Sequence, residues 1–285
     1  MVAVAGDGVG GQPSGWTSPV DDPAEVGGCA LDAVIARGAG PGGMNTVYRA
    51  IAPDGSPLSL TVLRGEGYEH CAAQLEAARR ADPPASARIV AWRLDGPEKF
   101  VIREYVHGRD LAAYATTYGP VAGRDLQRLA IGVAVTLNGL HRHGLVYGVL
   151  KPNDVVLTES GTVLCGVGLP DPPDQEHADP LGGMQKMLSR PPESLFGVGP
   201  SAASDVYAWG YLVAFAAGGG RHPYPSAGDA VAGFDAIWRT SPDLSALPEA
   251  LRPLIGAAMA REPDARPSID RVLAALADLV RDGAV

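Results

Sequence analysis

The stretch LHRHGLVYGVLKPNDVVL, from Leu140 to Leu157, decides the fold of this chain. It has the pattern of a helix end, a tight turn and a short apolar strand, with Lys151 and Asp154 between the turn and the strand. A segment of this kind is built to hold a loop of catalytic side chains. Val149, however, stands where such a loop would carry its base. The question is therefore whether this chain is an enzyme or has only the backbone pattern of one.

Length and composition limit the class of protein. A chain of 285 residues can form one large domain or two modest lobes. Its 37 glycines and 25 prolines are numerous, but they stay below the level typical of low-complexity chains, so most of the chain is expected to fold. The net charge of −9 argues against nucleic acid as a partner, because nucleic-acid-binding surfaces are basic. Proteins or small molecules are the expected partners.

The cysteines and the apolar runs indicate the compartment. Cys29, Cys71 and Cys165 are odd in number and far apart, so they predict neither a disulfide framework nor a CxxC metal site. No apolar run approaches the roughly 18–20 residues of a membrane helix, and the first residues lack the pattern of a signal peptide. The expectation is a soluble, cytoplasmic protein without a membrane segment in this chain.

The chain divides into three parts by pattern. Residues 1–28 are rich in Gly, Pro, Ser and Asp and are predicted to form a flexible tail. Residues 29–107 predict five short strands with one helix, HCAAQLEAARRA, and residues 108–285 predict a mainly helical half. The predicted helices of the second half are DLQRLAIGVAVTLNGLHRHG, SAASDVYAWGYLVAFAAG, AGDAVAGFDAIWRT, PEALRPLIGAAMARE and SIDRVLAALADLVRDG. A loop rich in Pro and Asp is predicted after Gly168. The expected fold class is α+β with two lobes, and a cleft between the lobes is the natural ligand site.

Six collinear fragments carry a family resemblance: GAGPGGMNTVY, EYVHGRDL, GLVYGVLKPNDVVL, RPPESL, SDVYAWG and REPDARPS. Their order resembles the bacterial, actinobacterial-type Ser/Thr protein kinase family from about Cys29 to Arg281. The resemblance implies a protein-kinase-like fold. It also implies a glycine-rich loop, a strand lysine paired with a helix glutamate, a catalytic-loop base and a metal-binding Asp-Phe-Gly.

The resemblance also shows which catalytic residues are replaced. The lysine, the helix glutamate, the base and the metal-binding aspartate correspond to Thr61, Gln74, Val149 and Gly166. A neutral Thr–Gln pair can form a hydrogen bond, but it cannot neutralise phosphate charge. Valine has no lone pair that could accept a proton. Glycine at position 166 removes the principal protein ligand of Mg²⁺.

Several residues remain candidates for nucleotide binding. They are Gly40, Gly42, Val47, Arg103, Lys151 and Asp154. A plain β-turn explains the glycines equally well, and Arg103 fits a structural or pocket-blocking role better than a phosphate ligand. Asp154 is a weak metal candidate, since a loop aspartate that caps the following turn is the commoner case. No resident cofactor is expected, although weak binding of ATP or Mg²⁺ stays open.

Other matches are structural. Glu193 and Arg266 correspond to the family's ion pair of the helical lobe, and Asp205 corresponds to the acid that fixes the catalytic loop. His141 and His143 are expected to contact the dipole of a helix end. Trp238 is expected in the core, with a partner surface as the alternative.

These matches and losses together predict a degenerate pseudokinase. Such a protein would regulate or scaffold protein partners without transferring phosphate. One alternative is a divergent Ser/Thr protein kinase that uses Asp154, Lys151 and Arg103 in unfamiliar roles. A second alternative is a sensor whose cleft binds a nucleotide or another metabolite.

Overall fold

The computed structural model describes residues 23–37, 45–64, 68, 71–169, 189–224 and 237–283. Within them the chain forms two compact units, each described here by itself. The first contains residues 1–65 and 90–105, and the second contains residues 66–89 and 106–285. The sequence analysis assigned residues 29–107 to one lobe. The helix within that range instead makes its contacts in the second unit.

The first unit is built on a six-stranded sheet. Its strands are β1 (Glu25–Val26), β2 (Cys29–Arg37), β3 (Asn45–Ile51), β4 (Pro57–Leu63), β5 (Ile89–Arg93) and β6 (Lys99–Glu104), in the order β1-β2-β3-β4-β6-β5. Burial alternates along β3, as expected for strands with one face against a core. One face of the sheet buries an apolar cluster that includes Tyr48, Leu60, Phe100 and Ile102. The five strands predicted from the sequence are confirmed.

One strand lies where the sequence analysis placed the tail. Glu25 and Val26 of β1 pair with Ala30 and Cys29 of β2, and Val26 is 2% exposed. The turn between the strands uses two glycines in the left-handed region. At Gly27 a Cβ would lie 2.6 Å from the Phe100 ring, so only glycine fits there. The folded part therefore includes Glu25. The sequence does not predict this strand, because two residues are too few to show a period.

The second unit is mainly helical. Its helices are α1 (Cys71–Ala81), α2 (Leu111–Tyr118), α3 (Gly123–His141), α4 (Ala202–Ala217), α5 (Arg252–Ala258) and α6 (Ile269–Arg281). A small sheet joins β7 (Arg109–Asp110), β8 (Val155–Thr158) and β9 (Gly161–Leu164) in that order. The predicted helices α1, α3, α4, α5 and α6 are confirmed. Helix α2 was missed, although Asp110 caps it by accepting a hydrogen bond from Ala113 N at 3.0 Å.

Helix α4 forms the centre of this unit. Nearly all of its residues are buried, among them Tyr207, Trp209, Tyr211 and Phe215. Trp209 donates from Nε1 to the carbonyl oxygen of Ala130 in α3 at 2.8 Å, which satisfies its polar atom inside the core. Among the described residues, no helix combines the length and the apolar content that a membrane span requires.

Some predictions lie outside the described residues. They are the tail as far as residue 22, the glycines Gly40 and Gly42, most of the loop after Gly168 and most of the predicted helix at residues 227–240. Ile237, Trp238 and Arg239 at the end of that helix are described and are helical.

Candidate functional site

The turn after α3 is held by one buried carboxylate. Asp205 of α4 is fully buried and accepts hydrogen bonds from Tyr147 N at 2.7 Å and Gly148 N at 2.9 Å. Its Oδ2 also lies 2.8 Å from Nε2 of His141, the last residue of α3. A buried carboxylate needs such donors, because an unpaired one is costly to bury. These contacts set the path of the chain into Val149.

Val149 itself is half-buried, and its side chain contains no polar atom. The turn before it still has the form of a catalytic loop. Gly148 has φ +98°, a left-handed conformation that favours glycine. The backbone arrangement is therefore retained, while the side chain that could accept a proton is missing.

A tyrosine hydroxyl lies next to Gly166. Tyr147 Oη donates to the carbonyl oxygen of Cys165 at 2.5 Å. A Cβ added to Gly166 would lie 3.0 Å from this hydroxyl and 3.8 Å from Asp154 Oδ1, and Gly166 has φ +81°. Both the space and the backbone conformation therefore favour glycine at 166. No sequence pattern predicts the contact between Tyr147 and Cys165, which joins positions 18 residues apart.

Asp154 is neutralised by its neighbour. Its Oδ2 accepts from Lys151 N at 3.2 Å, and its Oδ1 lies 3.3 Å from Lys151 Nζ. The carboxylate thus caps the short 3₁₀ turn Pro152–Asp154 that leads into β8. The structure brings these two candidate residues together, and it assigns Asp154 the capping role that was the commoner alternative.

The described residues around Gly166 fit poorly the Mg²⁺ ion that the family resemblance implies. Glycine at 166 supplies no ligand, and the Asp154 carboxylate is already engaged by Lys151. Across the described residues, no three His, Cys, Asp or Glu side chains form a group that could hold a metal ion. Mg²⁺ prefers carboxylate oxygens in octahedral geometry, and one neutralised carboxylate does not provide that.

Gln74 lies half-buried in the middle of α1. Helix α1 lies close to the segment that contains Gly166, because a Cβ at Gly168 would lie 2.8 Å from Ala78 Cβ and 3.5 Å from Gln74 O. Gly168 has φ +78°. Glycine at 168 thus permits the close approach that holds α1 in the second unit.

The remaining candidates that the structure describes lie on one face of the first unit's sheet, and they are Thr61, Val47 and Arg103. Thr61 pairs with Val47 on β3 and with Val101 on β6. Arg103 follows two residues after Val101, is 4% exposed, and occupies the face opposite the apolar cluster. Diagonal same-face neighbours in a sheet lie about 7–8 Å apart, so a guanidinium at 103 reaches the neighbourhood of Thr61. Gly40 and Gly42 lie outside the described residues.

The predicted ion pair between Arg266 and Glu193 is present and is bidentate. Arg266 Nη1 and Nη2 donate to the two carboxylate oxygens of Glu193, both at 2.7 Å. The other donors reach backbone oxygens of Ala260, Ala203 and Arg261 at 2.8–3.1 Å. The side chain of Arg266 is fully buried, and all five of its N–H groups are used.

Two of the minor expectations need correction. His141 contacts Asp205 rather than a helix dipole, because its ring projects from α3 toward α4. His143 does bind the helix end, since its Nδ1 donates to Gly139 O at 2.8 Å. Trp238 is not a core residue. It is 45% exposed and packs edge-to-face on Phe196, which is 70% exposed, with ring centroids 5.4 Å apart.

Sequence comparisons identify known proteins that this chain resembles. The model of the family described as "Protein tyrosine and serine/threonine kinase" matches residues 69–276. The probable serine/threonine-protein kinase PkwA of Thermomonospora curvata is 32% identical over 83% of this chain and 33% of its own length. The serine/threonine-protein kinase AfsK of Streptomyces coelicolor is 29% identical over 80% of this chain and 29% of its own length. The chain thus spans about a third of the length of these curated relatives.

A solved structure shows the fold. The crystal structure of Rad53 1-466 in complex with AMP-PNP matches with a TM-score of 0.71, 18% sequence identity, and coverage of 86% of this chain and 64% of that one. This is the protein kinase fold, with a β-sheet lobe and a helical lobe. The family model covers well over half of the chain, and the chain therefore belongs to the protein tyrosine and serine/threonine kinase family.

Proposed function

We propose that this chain is a pseudokinase, a kinase-family module that regulates or scaffolds protein partners and does not transfer phosphate. One observation carries the proposal. Asp205 holds the catalytic-loop backbone in place through two N–H groups, while Val149 and Gly166 offer no polar side-chain atom. The arrangement preserves the frame of the reaction without its acid–base and metal-binding groups.

The chemistry of phosphoryl transfer explains why these losses matter together. The reaction relies on positioning and on charges that stabilise the transferred group, with a lysine, a metal-held carboxylate and a base as its main parts. A positioned base alone commonly contributes about 10²–10⁴ in rate. Thr61, Val149 and Gly166 remove one part each. A single loss could be replaced by a neighbour, but three losses together are hard to compensate.

Regulation by phosphorylation of this segment is not part of the proposal. Ser189 is the one hydroxyl-bearing residue between Gly168 and Glu193, and it is 2% exposed. A phosphate there would have to be buried, which is costly without paired cations. Gly148 replaces the arginine that would anchor a phosphorylated loop. A module held in one state by Arg266 and Glu193 suits a scaffold better than a switch.

The partners are proposed to be proteins. The net charge of −9 disfavours nucleic acid. The widely spaced cysteines suit a reducing compartment, so we place the protein in the cytoplasm.

A second candidate is a divergent Ser/Thr kinase or a nucleotide sensor. The relatives PkwA and AfsK are named serine/threonine-protein kinases, and Rad53 was crystallised with AMP-PNP. Within this chain, the Lys151–Asp154 pair keeps one carboxylate and one cation beside Gly166. If phosphate is transferred, Asp154 is the residue that would act in place of Val149.

Radiolabel transfer and thermal unfolding separate the candidates. The full chain is incubated with [γ-³²P]ATP, Mg²⁺ or Mn²⁺ and a generic protein substrate, beside the kinase domain of PkwA as the positive control. The pseudokinase proposal predicts no label with this chain. Label that disappears in Asp154→Ala would overturn it in favour of the divergent kinase. A rise in melting temperature with ATP but no label would identify a sensor, because binding stabilises by mass action.

A further inference from the structure

A groove on the second unit lies outside the kinase-like site. It has a volume of about 540 Å³ and is bounded by α3, by the turn into β9 and by Ala85. Its walls include Arg124, Arg128, Ser160 and Thr162. Two exposed arginines and an exposed serine line one groove on a chain whose net charge is −9. The groove is thus a basic site on an acidic protein.

The shape of the groove follows from two close approaches. At Gly132 of α3, a Cβ would lie 3.1 Å from Thr162 Cβ, so the absence of a side chain lets β9 lie against the helix. Above this floor the turn is fixed by Thr158, whose Oγ1 donates to Gly161 O at 2.9 Å and lies 3.1 Å from Ser160 Oγ. These contacts fix the turn between β8 and β9 against α3. The side chains of Arg124, Arg128 and Ser160 are exposed at the edge of the groove.

The arginines leave most of their donors for a ligand. Arg128 lies 3.6 Å from Asp125, but this pair is exposed, with 45% and 66% of the two side chains accessible. Exposed pairs of this kind contribute little, about 0–1 kcal/mol. A guanidinium has five N–H donors arranged to match carboxylate or phosphate oxygens. An anionic ligand can therefore displace or share this contact.

The spacing favours an extended polypeptide over a small anion. Residues i and i+4 of a helix lie one above the other, with Cβ atoms about 5–6 Å apart. Alternate side chains of an extended chain point the same way and lie about 6.6 Å apart. Arg124 and Arg128 thus match acidic residues at positions i and i+2 of a strand-like segment. The exposed walls suit a segment that lies along the surface, whereas small-ligand sites enclose most of their ligand.

We propose that this groove binds an extended acidic segment of a protein partner, with two carboxylates at alternate positions held by Arg124 and Arg128. The exposed hydroxyl group of Ser160 can form hydrogen bonds with the segment's backbone. The site does not depend on whether the chain transfers phosphate, so it stands apart from the function proposed above.

Fluorescence anisotropy tests this proposal with the full chain. The probe is a fluorescein-labelled peptide with three glutamates alternating with alanines, and its isomer with three contiguous glutamates is the spacing control. The double variant Arg124→Glu/Arg128→Glu should raise the Kd of the alternating peptide at least about 30-fold. The matched variant Arg271→Glu/Arg281→Glu, on the exposed part of α6, makes the same change in net charge and should alter it less than about twofold.

The alternating peptide should bind about tenfold tighter than its isomer, because only its carboxylates are in register with the arginines. Equal binding of the two peptides would overturn the proposal, as would equal losses in the two double variants or no binding of the alternating peptide. Inorganic phosphate that displaces the peptide better than chloride at equal ionic strength would assign the groove to a free anion instead. Thermal unfolding of each variant checks that the fold is intact.

Discussion

Two regions of the second unit, both packed around α4, differ in the polar contacts of their side chains. Around Arg266 the ionic chemistry is complete, with a bidentate contact to Glu193 and every donor used. Around Val149 the backbone is held by two N–H contacts to Asp205, while Val149 and Gly166 carry no polar side-chain atom. The same element supports both regions, because Asp205 lies in the first turn of α4 and Arg266 contacts the same turn through Ala203 O.

The difference shows what each kind of residue contributes. Arg266 and Asp205 each satisfy buried backbone groups, so their loss would leave polar atoms unpaired inside the core. A base or a metal ligand contributes nothing to the folded state when no substrate is bound. Val149 and Gly166 can therefore replace such residues without cost to the fold. The retained residues are those that the fold needs.

The largest expected effect tests the intact region. Arg266→Ala leaves the Glu193 carboxylate without its buried partner and removes the donors that reach three backbone oxygens, so it should lower the free energy of unfolding by about 3–5 kcal/mol. Urea denaturation followed by circular dichroism measures this. Arg281→Ala is the control, because Arg281 is 72% exposed beside Asp278, and it should cost less than about 0.5 kcal/mol. Similar losses in the two variants would contradict the buried-pair account.

The next effect tests the support of the loop. Asp205→Ala leaves Tyr147 N and Gly148 N without an acceptor inside the core and should cost about 2–3 kcal/mol. Asp205→Asn should cost less, because its amide oxygen still accepts one bond. Thermal and urea unfolding compare both with Asp278→Ala, a carboxylate that is 63% exposed. A loss in Asp205→Ala no greater than in Asp278→Ala would show that the loop does not depend on this carboxylate.

A smaller effect tests the degenerate region. Gly166→Ala should cost about 1–3 kcal/mol, since the residue has φ +81° and its Cβ would lie 3.0 Å from Tyr147 Oη. Removing the hydroxyl relieves the contact but leaves the backbone strain. In the Tyr147→Phe background, Gly166→Ala should therefore cost less than it does alone. A double-mutant cycle by urea denaturation measures this coupling, and additive losses would rule out the contact.

The smallest effect is a pH dependence at the far end of α4. Burial lowers the pKa of His222 from its ordinary value of 6.5, and its Nδ1 lies 2.5 Å from Tyr211 Oη. The folded state thus keeps His222 neutral where the unfolded state takes up a proton. Its contribution is fully present above pH 6.5 and is lost as the pH falls toward the folded pKa. The melting temperature should decline below pH 6.5 by less in His222→Gln, and identical declines would exclude His222 as a source.

The sequence predicted much of this because it reports local chemistry. Strands β2, β3 and β4 follow from short β-type runs separated by the turn sequences GPGG and PDGS, and α3 follows from its apolar period and its glycine stop at Gly144. The partners Glu193 and Arg266, and the role of Asp205, came from the family resemblance rather than from any period. Helix α2 and strand β1 were missed because eight residues and two residues carry too little periodic signal.

Other features depend on residues that are distant in sequence. The contact of His141 with Asp205 joins positions 64 residues apart, and the Tyr147 hydroxyl meets the Gly166 segment only once β8 and β9 have paired. The groove formed by Arg124, Arg128 and Ser160 likewise exists only where α3 lies against β9. The sequence by itself determined the elements and the residue types at Thr61, Val149 and Gly166, since these are properties of single residues and short periods. The tertiary structure alone decided which donors reach which acceptors, because hydrogen bonds and cavities depend on packing between distant segments.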